Sequence, residues 1–284
     1  MLLAAYLLSV LVGLSLGLLG GGGAILTVPI LTYVVGLDAK EAIPMSLLIV
    51  GITSLASSIS HARAGRVQWR TGYLFGAAGM VGAFGGGNLA HFIPGNVLLL
   101  MFAGMMGAAA IAMLRGRRNL AAVADATPDR KLHPVAVLAQ GAVVGLITSL
   151  VGAGGGFMIV PTLVLVGGLS MHAAVGTSLL VIAMQSFAGL AGHLGHVSID
   201  WKLGGGMAVI AIAGSVVGSK LAGKVPQAQL RRGFGWFLVA MATLVLAKQA
   251  PLAWPVTVGL CASVVVVAST AVMMTRRRRE GVPA

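Results

Sequence analysis

Apolar residues fall in long blocks along this chain, and the polar residues collect in the gaps between them. The blocks run over about 2 to 36, 43 to 60, 71 to 92 and 96 to 114. A second set covers about 134 to 168, 173 to 192, 203 to 223 and 230 to 247, and a last block covers 252 to 275. Each is long enough for an apolar helix that crosses a bilayer, which takes roughly 20 residues. The first block of each set is broken by glycine: Gly20-Gly21-Gly22-Gly23 leads to Val28-Pro29, and Gly152-Ala153-Gly154-Gly155-Gly156 leads to Val160-Pro161. The two prolines are 161 − 29 = 132 residues apart. Without a gap, the same offset pairs Ser46 with Ser178, Ser54 with Ser186, His61 with His193, Trp69 with Trp201, Gly82 with Gly214 and Pro94 with Pro226. The chain is therefore duplicated. Residues 1–115 form the first repeat, 116–133 a polar linker loop, 134–247 the second repeat, and 248–284 a final helix with a basic tail.

Composition turns the blocks into membrane segments. Hydrophobic residues make up 58% of the 284, charged residues 9%, and mean hydropathy is +0.99. Soluble domains carry about 25% charged residues. The net charge of +13 does not call for a nucleic-acid partner, because the cations occupy short loops and the run Arg276-Arg277-Arg278-Arg279. Sixteen of the nineteen Lys and Arg lie in four places: 63–70, 115–131, 220–232 and 276–279. If each glycine-broken block were one full span, the last two clusters would fall on the opposite side from the first two, against the positive-inside rule. If each is a re-entrant hairpin, three true spans remain per repeat and all four clusters face the cytoplasm. The odd count also inverts one repeat relative to the other, an arrangement found in secondary transporters. The expected fold is an all-α integral membrane protein: two inverted repeats, each a Gly-broken re-entrant hairpin plus three transmembrane helices, with one extra C-terminal helix. The N-terminus lacks a basic n-region and a cleavage site, so no cleaved signal peptide is expected. Cys261 is the single cysteine and sits in the last apolar block.

A chain that unwinds at membrane depth needs residues that tolerate positive φ, and it leaves backbone N–H groups without helical partners. The helices that restart after the glycines would aim those groups and a positive dipole end at the break, a setting suited to an anion without any intramembrane lysine or arginine. Most other glycines, Gly76, Gly79, Gly82 and Gly86 among them, read as helix-packing residues, where alanine should be tolerated with graded loss. Polar side chains within the spans add donors: Ser46, Thr53 and Ser54 map onto Ser178, Gln185 and Ser186, and seven-residue spacings keep 46 with 53 and 178 with 185 on one helical face. Hydroxyls of this kind also bond their own helix carbonyls. His61 and His193, near Trp69 and Trp201, read as interfacial anchors, with proton coupling the sharper alternative. All six acidic residues are expected in loops or the tail, which disfavours an acidic proton relay. No intramembrane nucleophile with a base, no metal-ligand cluster and no dinucleotide-binding glycine fingerprint is present in the sequence, so neither an enzyme nor a cation permease is indicated.

The stretch Leu18-Leu19-Gly20-Gly21-Gly22-Gly23 through Val28-Pro29, and Gly152-Ala153-Gly154-Gly155-Gly156-Phe157 through Val160-Pro161 followed by Ala174-Val175-Gly176-Thr177-Ser178, resemble the TauE/SafE family, also called the toluene-sulfonate uptake permeases. The resemblance extends from about residue 5 to 270. It implies a bacterial inner-membrane carrier, C-terminus cytoplasmic, for small sulfur-containing anions such as sulfite, sulfonates or sulfoacetate. The first copy departs from the pattern in having Pro44-Met45 where the second has Gly176-Thr177. The candidate substrate site comprises Gly21, Gly22, Gly23, Ala24, Ser46, Thr53, Ser54, Gly154, Gly155, Gly156, Phe157, Thr177, Ser178, Gln185 and Ser186. No cofactor, metal or nucleic acid is expected; the partners are the anion, the lipid bilayer and a coupling ion, H+ or Na+. A passive anion channel, or a carrier of another small carboxylate or oxyanion, is the alternative reading. The pattern assigns no oligomeric state.

The charge argument makes a topological prediction. Single cysteines placed near Arg66, Arg118, Lys224 and Arg276 in a Cys261→Ser background should all resist periplasmic labelling. Periplasmic labelling at 224 would sink the arrangement of three spans per repeat.

Overall fold

The computed structural model describes residues 2–19, 21–115, 134–165, 169–221 and 227–249, and no strand occurs among them. The expected linker, the final helix at 252–275 and the arginine tail lie outside the described residues. In the first half α1 (Leu2–Leu19) is followed by a 3-10 turn (Gly22–Leu26), α2 (Thr27–Ile30) and a π-helical turn (Leu31–Val35). After these come α3 (Ala39–Arg63), α4 (Trp69–Ala90) and α5 (Gly95–Arg115). The second half has α6 (Pro134–Val151), α7 (Gly156–Leu165), α8 (Met171–Leu194), α9 (Trp201–Leu221) and α10 (Gln227–Gln249). Adding 132 to the start of α1, α3, α4 or α5 lands on the start of α6, α8, α9 or α10. The helix ends repeat as well. The Leu37 N–H donates to the Leu31 carbonyl and the Leu169 N–H to the Leu163 carbonyl, each six positions back and at equivalent places.

Among the described residues, Ala39–Arg63, Ala173–Leu194 and Trp201–Leu221 are long and apolar enough to cross a membrane. The chain divides into two compact units. One comprises Met1–Leu98 with Ala122–Val225, and so takes helices from both halves; the other comprises Leu99–Ala121 with Pro226–Ala284.

Within the first unit, glycine decides which helices meet. Lipid tails give no hydrophobic reward for helix association, so close backbone approach through small residues has to supply it. Gly13 and Gly17 of α1 face Ala211 and Ser215 of α9, while Gly214 and Gly218 face Val10 and Leu14. The equivalent interface joins α6 to α4: Gly141 and Gly145 face Phe75 and Gly79, and Gly82 and Gly86 face Ala142 and Leu146. The helix ahead of each break therefore packs on a helix of the other half, α1 on α9 and α6 on α4. At the centre α3 lies against α8 with opposite direction: Gly51 faces Ser186 and Phe187, and Gly189 faces Leu47. The pair α4 and α8 runs in parallel, with Gly72 against Thr177 and Gly76 against Met184. Ser57 on α3 donates to Ser215 on α9 at 3.1 Å.

The fit overturns the expectation that Gly82 tolerates alanine. A Cβ at Gly82 would overlap the carbonyl of Ala142, which is backbone and cannot move aside. Gly85, three residues along, faces open space. Gly82→Ala should therefore destabilise the folded protein by about 1–3 kcal/mol, the usual cost of overpacking, whereas Gly85→Ala should leave it unchanged. Thermal unfolding of the two variants in detergent separates the cases, and equal melting temperatures would show that the α4–α6 contact is looser than described.

Candidate functional site: two glycine breaks that meet

The break in the first half is a single abrupt step. Gly21 has φ 127° and ψ −15°, outside the range open to residues with a Cβ, and the 3-10 turn begins at the next residue. The second break is longer, with φ 73° at Gly152, 60° at Gly154 and 72° at Gly155 before α7 starts at Gly156. Backbone bonds then restart the helix: the N–H groups of Met158 and Ile159 both donate to the Gly155 carbonyl at 2.9 Å. The Ser46 hydroxyl donates to the Gly152 carbonyl at 2.7 Å and so pins α3 to the end of α6.

The two breaks touch. A Cβ at Gly21 would lie 2.6 Å from the Cα of Gly156 and 2.6 Å from Cδ1 of Ile182, and a Cβ at Gly156 would run into the backbone of Gly21. One at Gly154 would lie 2.6 Å from Cγ1 of Val50 and 3.3 Å from the Ala24 Cβ. Val50 and Ile182 are equivalent at the offset of 132, one on α3 and one on α8. Gly21 to Ala24 and Gly152 to Gly156 are all buried. Helical runs that begin at Gly22 and at Gly156 thus start from one interior point, where the Ala24 N–H already bonds the Gly21 carbonyl and the Met158 N–H the Gly155 carbonyl, while the N–H groups that open each run have no partner within their own helix. Of the candidate residues at the breaks, Gly21 meets Gly156 and Ala24 meets Gly154, whereas Gly23 faces Val12, Ser15 and Leu16 of α1 and Gly155 faces Thr148 and Ile159. Phe157 is the second residue of α7, and its side chain lies outside the described residues.

The hydroxyls divide into two groups. Thr53 donates to the Ile49 carbonyl at 2.7 Å and Ser178 to the Val175 carbonyl at 2.8 Å, both on their own helices. Thr177 accepts from the Gln68 N–H at 2.9 Å, which ties the α3–α4 loop to the start of α8. By contrast Ser54 and Ser186, equivalent residues, are buried with unpartnered hydroxyls. Gln185 is 2% exposed, and neither its amide nitrogen nor its amide oxygen has a protein partner. It lies one helical turn beyond Ile182. Its amide rests on Gly79 of α4, where a Cβ would collide with it.

Sequence reasoning passed over Thr148, Ser149 and Thr27. The Thr148 side chain would stand 2.7 Å from a Cβ at Gly155, and its carbonyl accepts from the Ala153 N–H at 3.2 Å. The hydroxyls of Ser149 and Thr27 are buried without partners. The available signal was position, since Thr148 and Ser149 immediately precede the second break; the duplication hid it, because their equivalents are Leu16 and Gly17. The histidine expectation also needs correction. Trp69 and Trp201 are 49% and 56% exposed, as interfacial anchors are, but His61 and His193 are 8% and 4% exposed and face the protein. Glu41, expected in a loop, lies in the first turn of α3.

Comparison with known proteins agrees with this architecture. Residues 5–245 match the family described as sulfite exporter TauE/SafE. A probable membrane transporter protein of Xylella fastidiosa (strain Temecula1) is 35% identical over 246 residues, covering 83% of this chain and 91% of the relative. The probable membrane transporter protein MJ0441 of Methanocaldococcus jannaschii is 30% identical, covering 79% and 89%, and YdhB of Bacillus subtilis is 29% identical, covering 78% and 90%. No solved structure matches the chain. With a glycine break in each half, apolar helices long enough to span and a match over most of its length, the chain belongs to the TauE/SafE family of membrane transporters.

Proposed function

We propose that the protein is a secondary carrier of small sulfur-containing anions, sulfite, sulfonates or sulfoacetate-like, with the anion held by backbone N–H groups where the two glycine breaks meet. The observation that carries the reading is the contact of Gly21 with Gly156, which brings the starts of two helical runs from different halves to one buried point. Two positive dipole ends without a fixed cation attract an oxyanion while leaving its binding weak enough to reverse. The name of the matched family, sulfite exporter, supports the class of anion. Gln185 adds an amide donor one turn away, and Ser54 and Ser186 add hydroxyls, all without protein partners.

The transport cycle is alternating access between inverted repeats. The antiparallel course of the equivalent helices α3 and α8 supports the inversion, and the return of the 3-10 turn onto α1 supports a re-entrant hairpin in the first half. With the basic loops placed in the cytoplasm, the Arg63–Arg70 end of α3 and α4 faces inward in a bacterial inner membrane. Val50 and Ile182 close on the breaks from α3 and α8, so the anion enters only when the 3-10 turn and α7 part. A closed contact of this kind is expected of an occluded carrier and not of a standing pore.

Binding of sulfite, sulfoacetate and matched carboxylates to purified protein tests the substrate class, and saturable counterflow in liposomes separates a carrier from a channel. Gln185→Ala should weaken sulfite binding roughly ten- to hundredfold, the worth of about 1.5–3 kcal/mol for one hydrogen bond to a charged group, without reducing membrane insertion. Unchanged affinity would assign Gln185 to packing. Gly155→Val should abolish uptake per folded protein, because its φ of 72° is closed to a β-branched residue. The comparison is Gly85→Ala, which should transport normally; equal loss in both would move the anion site elsewhere.

A further inference from the structure

A cavity of about 310 Å³ opens at the end of the first unit formed by the start of α3 and the ends of α4 and α8. Asp38, Lys40 and Glu41 line it from the start of α3 and the residue before it, His91 from the end of α4, and His196 from the loop after α8. His193 sits at its base. Asp38, Glu41, His91 and His196 are exposed, so the mouth is wet, whereas His193 is 4% exposed.

The hydrogen bonding of His193 fixes its tautomer. Nδ1 lies 2.9 Å from the Gly189 carbonyl, and a carbonyl only accepts, so Nδ1 carries the hydrogen. In the neutral ring Nε2 is therefore a bare lone pair, and it has no protein partner. Charges and helix ends of both signs surround the cavity, the start of α3 and Lys40 among them. Two helix C-termini point their carbonyl ends at the cavity, and two carboxylates stand at its rim. Lys40 already spends its ammonium on the His91 carbonyl at 3.0 Å, while the His91 and His196 rings stack at 4.3 Å. The other helices packed against α8, α6 and α7, contribute no titratable side chain. Among the described residues no group of three or more His, Cys, Asp or Glu is placed to hold a metal ion.

We propose that Nε2 of His193 is the proton-loading site of the carrier, filled through this cavity from one side of the membrane. A hydronium ion in the cavity gives its proton to Nε2, an N–H bond forms and water leaves, and the Nδ1 bond to Gly189 is kept throughout. The offset of 132 places a second imidazole, His61, at the equivalent point of the antiparallel helix α3, and so at the opposite end of the unit, beside the Arg66 loop; its Nδ1 is buried without a partner. The coupling consequence rests on the carrier reading, but the proton site itself does not.

The test uses the full chain in two preparations. In nanodiscs with 15N-labelled histidine, the signal removed by His193→Asn should belong to an Nδ1-protonated ring at neutral pH whose Nε2 gains a proton between pH 9 and 4. An Nε2-protonated ring, or no change over that range, overturns the proton site. In proteoliposomes, an imposed pH gradient should accelerate sulfite uptake by the wild type at least threefold. His193→Asn should bind sulfite and run sulfite counterflow unchanged yet lose the acceleration, and His193→Gln serves if the asparagine variant does not fold. Acceleration retained in the variant, or missing in a wild type that binds sulfite, overturns the coupling. A wild type that binds no sulfite overturns the substrate reading instead, while the nitrogen titration still decides the proton site.

Discussion

Everything in the first unit depends on one constraint: backbone polar groups in hydrocarbon must find partners, yet two helical segments stop and restart in the interior. Glycine permits the break by adopting φ values between 60° and 127°. It also permits the close approach of the two breaks, because a chain without side chains can be met by another chain at van der Waals distance, as Gly21 and Gly156 meet. A methyl at either position would hold the breaks apart.

That contact is held in place by an exchange between the halves. Each pre-break helix is gripped by a helix of the opposite half, α1 by α9 and α6 by α4, through reciprocal glycine pairs four residues apart. A half on its own would lack the surface against which its broken segment is positioned. Close approach also fixes register, since a helix that seats two glycines over two carbonyls cannot slide by one residue without a clash.

Much of this was legible in the chain. The blocks of apolar residues and the offset of 132 anticipate the helices and their one-to-one correspondence, because membrane helices need length and apolarity more than any particular neighbour. That the breaks hold unwound backbone was legible from the glycine runs; that Gly21 meets Gly156 was not. What the pattern could not show was which polar atoms had already found partners. Thr53 and Gln185 occupy equivalent positions and look alike as candidates, but a threonine hydroxyl reaches its own helix carbonyl and a glutamine amide projects beyond it. Burial of the histidines was hidden for a related reason: span ends predict an interface by distance along the chain, while His193 is enclosed by helices that meet it from elsewhere in the sequence. The packing glycines were recognised as such, but how little room they leave, as at Gly82 against Ala142, is a property of the pair and not of either residue.

The seating of Gln185 on Gly79 carries a corollary. Their equivalents in the other half are Thr53 and Ala211, a shorter side chain and a residue with a methyl. In the arrangement seen, the amide and a methyl at 79 claim the same space, so an alanine there would turn the glutamine away from its present place before it disturbed any backbone. The two positions are therefore coupled in which side chains they accept together.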